Sequence, residues 1–259
     1  MIRRFLLALL LLGSSLRADA GFYTDIWYNS LQPGHGYNVV QTNNFIFITF
    51  FIYAENGSPT WVIAQLTYDP GTSSFTGELI ATTGTFFGAP WVGVTEQTVG
   101  TATFTPSANN AYEGTLVFTY NGRGSANVPL TRQTLTPIPV AGRYDGSARG
   151  TYAGCANPAD NGSYQSDARI TVTEQANQGV TLVFAFDSGL RCTLVGTLIQ
   201  NGLLLRIAGA SYNCNDGLST TADVSELRRS AQSFEGRLFA AQVFGGCAER
   251  TRFSGLAAE

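Results

Sequence analysis

The stretch that decides the fold runs Phe45-Ile-Phe-Ile-Thr49-Phe-Phe-Ile-Tyr53-Ala-Glu-Asn56-Gly57-Ser-Pro59-Thr-Trp61. From Phe45 to Tyr53 only Thr49 is polar, and aromatic and β-branched side chains dominate. Such residues suit a pleated strand, and Asn56-Gly57 just beyond them is a strong hairpin signal. A two-residue turn there sets Ile52 opposite Trp61, Phe50 opposite Ile63 and Phe51 opposite Val62 on the other face. Pro59 has no N–H to give to a ladder, so it either shifts that register or marks an exposed edge. Both faces of the hairpin are apolar, which predicts cover on both sides.

Upstream, Arg3 and Arg4 precede the apolar run 5–12, and Ala18-Asp-Ala20 follows. That order fits a secretory signal peptide over residues 1–20 and predicts a periplasmic or extracellular protein. The apolar run is far short of the roughly 20 residues a membrane helix needs, so no membrane span is expected. Without Arg3, Arg4, Arg17 and Asp19, the chain keeps 12 basic and 17 acidic side chains, a net charge of −5. A mildly acidic surface argues against nucleic acid as a partner. Every basic residue is arginine, which excludes a lysine Schiff base and a phosphate-loop lysine.

Downstream, short β-type runs separated by turn signals continue to the end of the chain. In the first half they are 36–42, 45–54, 60–69, 74–82, 99–105, 112–120 and 127–135. In the second they are 148–154, 168–174, 180–187, 192–200, 203–212, 222–227, 234–243 and 250–256. Helical periodicity is confined to one weak candidate, 225–230. A short pattern recurs as Phe75-x-Gly77-x-Leu79, Tyr112-x-Gly114-x-Leu116, Leu194-x-Gly196-x-Leu198 and Phe234-x-Gly236-x-Leu238. Alternate strand residues share a face, so large, small and large side chains point together. That suits the tapering interior of a small closed barrel better than the alternative, a sandwich strand kinked at a bulge.

Trp27, Trp61 and Trp91 all lie in the first half, whereas Cys155, Cys192, Cys214 and Cys247 all lie in the second. Pro137 and Pro139 between them favour an extended joint. The expected fold is therefore all-β: two small antiparallel up-and-down barrels of lipocalin or avidin type in tandem, over residues 21–136 and 137–259. A turn at Asn201-Gly202 brings Cys192 almost opposite Ser211, one short step from Cys214. Cys155 ends the first strand of the second half and Cys247 precedes its last, and first and last strands adjoin in a closed meander. The pairings Cys192–Cys214 and Cys155–Cys247 follow. No cysteines have close metal-ligand spacing, so no metal or cofactor is expected.

Trp27-Tyr-Asn29, Gly34-x-Gly36, Phe50-Phe-x-Tyr53, Gly57-x-Pro59-x-Trp61, Thr82-Thr-Gly84 and Val99-Gly-Thr101 together resemble a largely uncharacterised family of exported proteobacterial β-domains. The resemblance covers about residues 22–135 and implies a compartment and a β architecture rather than an activity. That family typically opens Trp-x-Asn-Pro before Gly-Trp-Gly, and this chain has Ser30 and His35 at the proline and the central tryptophan. Gly154-Cys155, Tyr212-x-Cys214 and Gly246-Cys247 are similar, more weakly, to lipocalin-like bacterial domains.

Catalytic chemistry finds little support. His35 is the sole histidine and has no nucleophile elbow beside it, because Gly146-Ser-Ala-Arg-Gly150 places its serine one position early. Glu78, Glu113 and Glu235 fall at outward positions of the recurring pattern. Asn213-Cys-Asn-Asp216-Gly217 lacks the glutamate that closes a calcium loop. The aromatic residues are more informative. Trp27, Asn29, His35 and Trp91, with Trp61, are the expected ligand contacts at the mouth of the first barrel, for a small apolar or glycan ligand. A non-catalytic binding protein is the leading expectation. A protein-interaction or inhibitor module using the apolar loop 83–94 comes second, and a carboxylate-pair hydrolase third.

Overall fold

The computed structural model describes residues 21–108 and 110–258; the expected leader, residues 1–20, lies outside them. No α-helix occurs among the described residues. Barrel one closes from β1 (Asp25–Tyr28), β2 (Gly36–Thr42), β3 (Phe45–Tyr53), β4 (Pro59–Asp69), β5 (Ser74–Gly84), β6 (Val94–Ser107), β7 (Asn110–Tyr120) and β8 (Gly124–Arg132). Barrel two closes from β9 (Gly142–Ala153), β10 (Gly162–Glu174), β11 (Gly179–Phe186), β12 (Arg191–Asn201), β13 (Leu204–Cys214), β14 (Ser219–Arg229), β15 (Ser233–Ala240) and β16 (Ala248–Ala257). Each is an antiparallel meander whose last strand pairs with its first, which leaves no open sheet edge. The architecture is that of a tandem lipocalin-like barrel protein.

The hairpin around Asn56-Gly57 forms, one residue out of the expected register. Phe50 pairs with Val62 and Phe51 with Trp61. The loop has three residues rather than two. Ala54 N–H donates to Ser58 O, Gly57 N–H donates to Ala54 O, and Gly57 takes φ +78°. That left-handed glycine closes a turn-plus-bulge connection. The shift moves Trp61 onto the face of Phe51, with Pro59 opposite Tyr53 at the exposed strand end. Ile46, Ile48, Phe50, Val62, Ala64 and Leu66 fill the barrel, while Phe45, Phe51, Tyr53 and Trp61 lie in the open. The expectation of cover on both faces therefore fails: closure of the barrel buries only the inner face.

The recurring glycines do face inward, and their lack of a side chain is used. A Cβ on Gly77 would stand 1.9 Å from the Gln65 carbonyl oxygen, one on Gly114 2.8 Å from the Phe104 ring, and one on Gly236 2.7 Å from the Phe253 ring. The weak helical candidate 225–230 is instead β14, interrupted by a bulge between Ser225 and Arg228 where Glu226 takes φ +50°. Around it the strand pattern holds.

Cys192 lies directly opposite Cys214 and is bonded to it. The turn falls at Gly202-Leu203, one residue later than expected, and a bulge between Val195 and Leu198 adds one further step. Cys155 and Cys247 join the ends of β9 and β16 across the barrel seam.

One end of barrel one rests on barrel two. Asp25 Oδ2 accepts Leu203 N–H at 2.7 Å and Arg132 Nη1 at 3.0 Å. The Tyr112 hydroxyl donates to Leu205 O at 3.1 Å and accepts Glu226 N–H at 3.0 Å. Gly202 has φ +63°, and a Cβ there would lie 2.1 Å from Asp25 Oδ2, so only glycine permits this approach. The joining segment 133–141 is pinned rather than free. Gln200 accepts Ile138 N–H at 3.0 Å and donates to Thr136 O at 2.9 Å, and Val140 is buried in the core of barrel two.

Candidate functional site

Barrel one is filled. Trp27, Phe50, Phe75 and Phe104 are fully buried, and Trp27 meets Phe104 edge to face at 5.4 Å. Trp27 is therefore core rather than mouth: its indole N–H donates to Tyr23 O at 2.9 Å and the Arg132 guanidinium covers its ring at 4.5 Å. Asn29 is also buried and already engaged, its Oδ1 accepting Leu31 N–H in a turn. Neither is presented to a ligand. His35, Trp61 and Trp91 lie on or beside the loops at the end of barrel one that points away from barrel two. His35 packs edge to face on Tyr53 at 5.3 Å. The loop between β5 and β6 carries Phe86, Phe87, Trp91 and Val92 into solvent, with Phe87 95 % and Trp91 72 % exposed. This free end is an apolar, aromatic rim on a packed barrel.

Barrel two is packed over half its length and hollow over the rest. Tyr144, Phe234, Phe253 and Phe184 form a continuous ring contact that fills the half nearer Val140. Above it, at the end carrying both disulfides, lies a cavity of about 510 Å³. Its wall is mainly apolar, with Phe186, Leu190, Leu218, Val243 and Phe244 near the opening. The loops after β9, β11, β13 and β15 frame that opening; Cys155–Cys247 ties the first of them to the last, and Cys192–Cys214 ties β12 to β13 beside the other two.

Deeper in, the wall becomes polar at one place. Glu249 and Thr251 alternate inward on β16, and Tyr152 and Tyr164 come from β9 and β10. Glu249 Oε1 accepts hydrogen bonds from the Tyr164 hydroxyl and, at 2.8 Å, from the Thr251 hydroxyl. The two hydroxyl oxygens are 2.6 Å apart. Gly150 makes the cluster possible, because a Cβ there would lie 2.5 Å from Thr251 Oγ1 and 2.7 Å from the Tyr164 ring. Tyr152 stacks on Tyr164 at 5.2 Å, and Tyr212 is buried alongside. Burial, then the charge of Glu249, pushes the Tyr152 hydroxyl up to about 12. The same two causes raise Tyr164 and Tyr212.

Held protonated at neutral pH, these hydroxyls serve the site as hydrogen-bond donors. Among the described residues no group of three or more His, Cys, Asp or Glu could hold a metal ion. Composition singled out the tryptophans and so directed attention to barrel one. The residues it missed are Tyr152, Tyr164, Tyr212, Glu249 and Thr251, spread over three sequence segments. One signal was available in Glu249-x-Thr251-x-Phe253, an alternation whose inward face begins with a charge.

A second concavity of about 1470 Å³ runs between the barrels. Arg149, Arg252 and Arg237 stand in register across β9, β16 and β15 on its wall. Much of its charge is matched internally: Arg228 pairs with Glu235, and Arg237 with Glu226 at 3.2 Å. A mainly polar groove with paired charges offers an apolar ligand less than the mainly apolar chamber does.

No protein-family model matches the chain, and no curated protein matches it either. Among solved structures, a protein of unknown function from the DUF3598 family of Nostoc punctiforme is similar. It is 11 % identical over 90 % of this chain and 96 % of that one, with a TM-score of 0.23. A likeness that distant assigns nothing to this chain.

Proposed function

We propose that this is an exported, non-catalytic binding protein that holds a small, largely apolar molecule in the chamber of barrel two. The observation that carries this reading is the chamber itself. Its volume falls in the range of about 300–1,000 Å³ usual for small-molecule sites, and apolar walls converge on one polar cluster. Two disulfides at the opening suit an oxidising compartment and would keep the chamber open without ligand. Barrel one, with its buried aromatic core, serves as a foundation against which barrel two is docked.

The test is titration with N-phenyl-1-naphthylamine, an uncharged apolar fluorophore, against the full chain and Leu218→Trp, which fills the opening. Saturable enhancement that is lost in Leu218→Trp and kept in Trp91→Ala supports the reading. Loss in Trp91→Ala alone would move the site to barrel one, and no enhancement in any form would end it.

A second reading has its own observation. Phe86, Phe87, Trp91 and Val92 form a charge-free projecting tip too exposed to be explained by packing, which favours a protein contact at the rim of barrel one. The two readings use opposite ends of the molecule and are compatible.

A further inference from the structure

The chamber has a definite electrostatic sign. Its wall includes Asp160, Asp216 and Glu249 and no arginine or histidine, and the chain contains no lysine. The two aspartates sit at the opening, where water screens them. Glu249 is different: it is 4 % exposed, and among the described residues no arginine lies within ion-pair distance of it. A carboxylate taken out of water is costly unless a cation compensates it, and two hydroxyl donors supply only part of that compensation. Elsewhere this protein does pair its buried charge, as Asp25 with Arg132 shows. Glu249 instead borders the chamber.

What surrounds that position is aromatic. Tyr152 and Tyr164 lie nearly parallel, at 25°, and Tyr212 lines the same chamber. Tyrosine faces attract cations, more strongly where water is excluded. From these placements we infer that the ligand of the chamber is a monocation, a protonated amine or quaternary ammonium on an apolar body, with its charge against Glu249 and the tyrosine rings and its body against Phe186, Leu190 and Leu218. The tyrosine hydroxyls, raised first by burial and then by the charge of Glu249, agree with that placement. The inference rests on the proposed binding role of the chamber and adds the chemical class of what enters it.

The experiment compares three ligands of closely similar size by calorimetry at pH 7: 2-phenylethylamine, 2-phenylethanol and phenylacetate. In the native protein the amine should bind at least tenfold more tightly than the alcohol, with phenylacetate weakest. Glu249→Gln, which preserves shape and hydrogen bonding, should reduce the preference for the amine to twofold or less. Tyr152→Leu, which removes a ring that makes none of the hydrogen bonds to the carboxylate and so is a second variant should Glu249→Gln misfold, should weaken the amine more than the alcohol. Equal binding of amine and alcohol, or a preference that survives Glu249→Gln, overturns the inference. If N-phenyl-1-naphthylamine binds while the amine shows no advantage, the chamber is a ligand site of another chemistry. If neither binds, both readings fall.

Discussion

Asp25→Ala should uncouple the two barrels. Asp25 has one oxygen shared between two molecular halves: Oδ2 takes Arg132 Nη1 at 3.0 Å and Leu203 N–H at 2.7 Å. The Arg132 side chain is entirely buried and that of Asp25 nearly so. Removing one member of such a pair strands the other, at about 3–5 kcal/mol. An orphaned buried N–H adds about 1–3 kcal/mol. Against this, Arg132 keeps Ala111 O, Phe22 O and the Trp27 ring, and water enters the space left by the carboxylate. The lower end, about 3 kcal/mol, is the reasonable expectation. Since all three tryptophans belong to barrel one, their fluorescence during urea unfolding isolates that barrel. With an m-value of about 2 kcal/mol/M, the midpoint should fall by about 1.5 M. Asp25→Asn keeps the acceptor for Leu203 N–H and should lose roughly half as much. A shift below about 0.3 M in Asp25→Ala would refute the view that this contact locks the interface.

Gly77→Ala should destabilise barrel one by about 1–3 kcal/mol, because its Cβ meets the Gln65 carbonyl of the neighbouring strand; Gly36→Ala, with open space around it, should change stability far less by the same urea assay. Spectrophotometric titration should show Tyr152 ionising near pH 12 and Tyr164 and Tyr212 above the ordinary value of about 10, with Glu249→Gln lowering all three. Between pH 10 and 12 the native state keeps protons the unfolded chain has lost, so stability falls as pH rises through that window and is unaffected by these groups below it. Replacing Cys155 and Cys247 by serine opens a loop closed over 92 positions and should lower the stability of barrel two by about 4 kcal/mol in calorimetric melts, against about 3 kcal/mol for the 22-position loop of Cys192 and Cys214.

The fold was largely legible because closure of a meander is a local property. Most strands alternate apolar and polar residues, each turn follows within a few positions, and Gly77, Gly114, Gly196 and Gly236 mark where neighbours crowd the interior. β1 was not legible: in its four residues the inward positions are Asp25 and Trp27, and a buried aspartate breaks the apolar alternation. Its burial depends on Arg132 and Leu203, 107 and 178 positions away. Registers were less readable still. The hairpins at Gly57 and Gly202 both carry the expected glycine, yet each turn forms a residue away from its simplest form, and bulges add further steps. The first of those shifts decides which face Trp61 occupies.

Trp27 and Asn29 drop out of the expected mouth for a related reason. Tryptophan content marks a barrel that needs large side chains, and large side chains fill the space a ligand would use, as Trp27, Phe50 and Phe104 do. Hollow space has no residue to announce it. The chamber of barrel two exists where side chains stop short, above the Phe253 ring, and only its walls are encoded.

Resonance assignments in barrel two and barrel one, followed during titration with N-phenyl-1-naphthylamine, locate the ligand most directly. Methyl signals of Leu190, Leu218 and Val243 should move together and saturate, while those of Ile46, Ile48 and Leu66 stay in place. Movement confined to barrel one, or none in either barrel at saturating probe, would contradict a ligand chamber at the disulfide end.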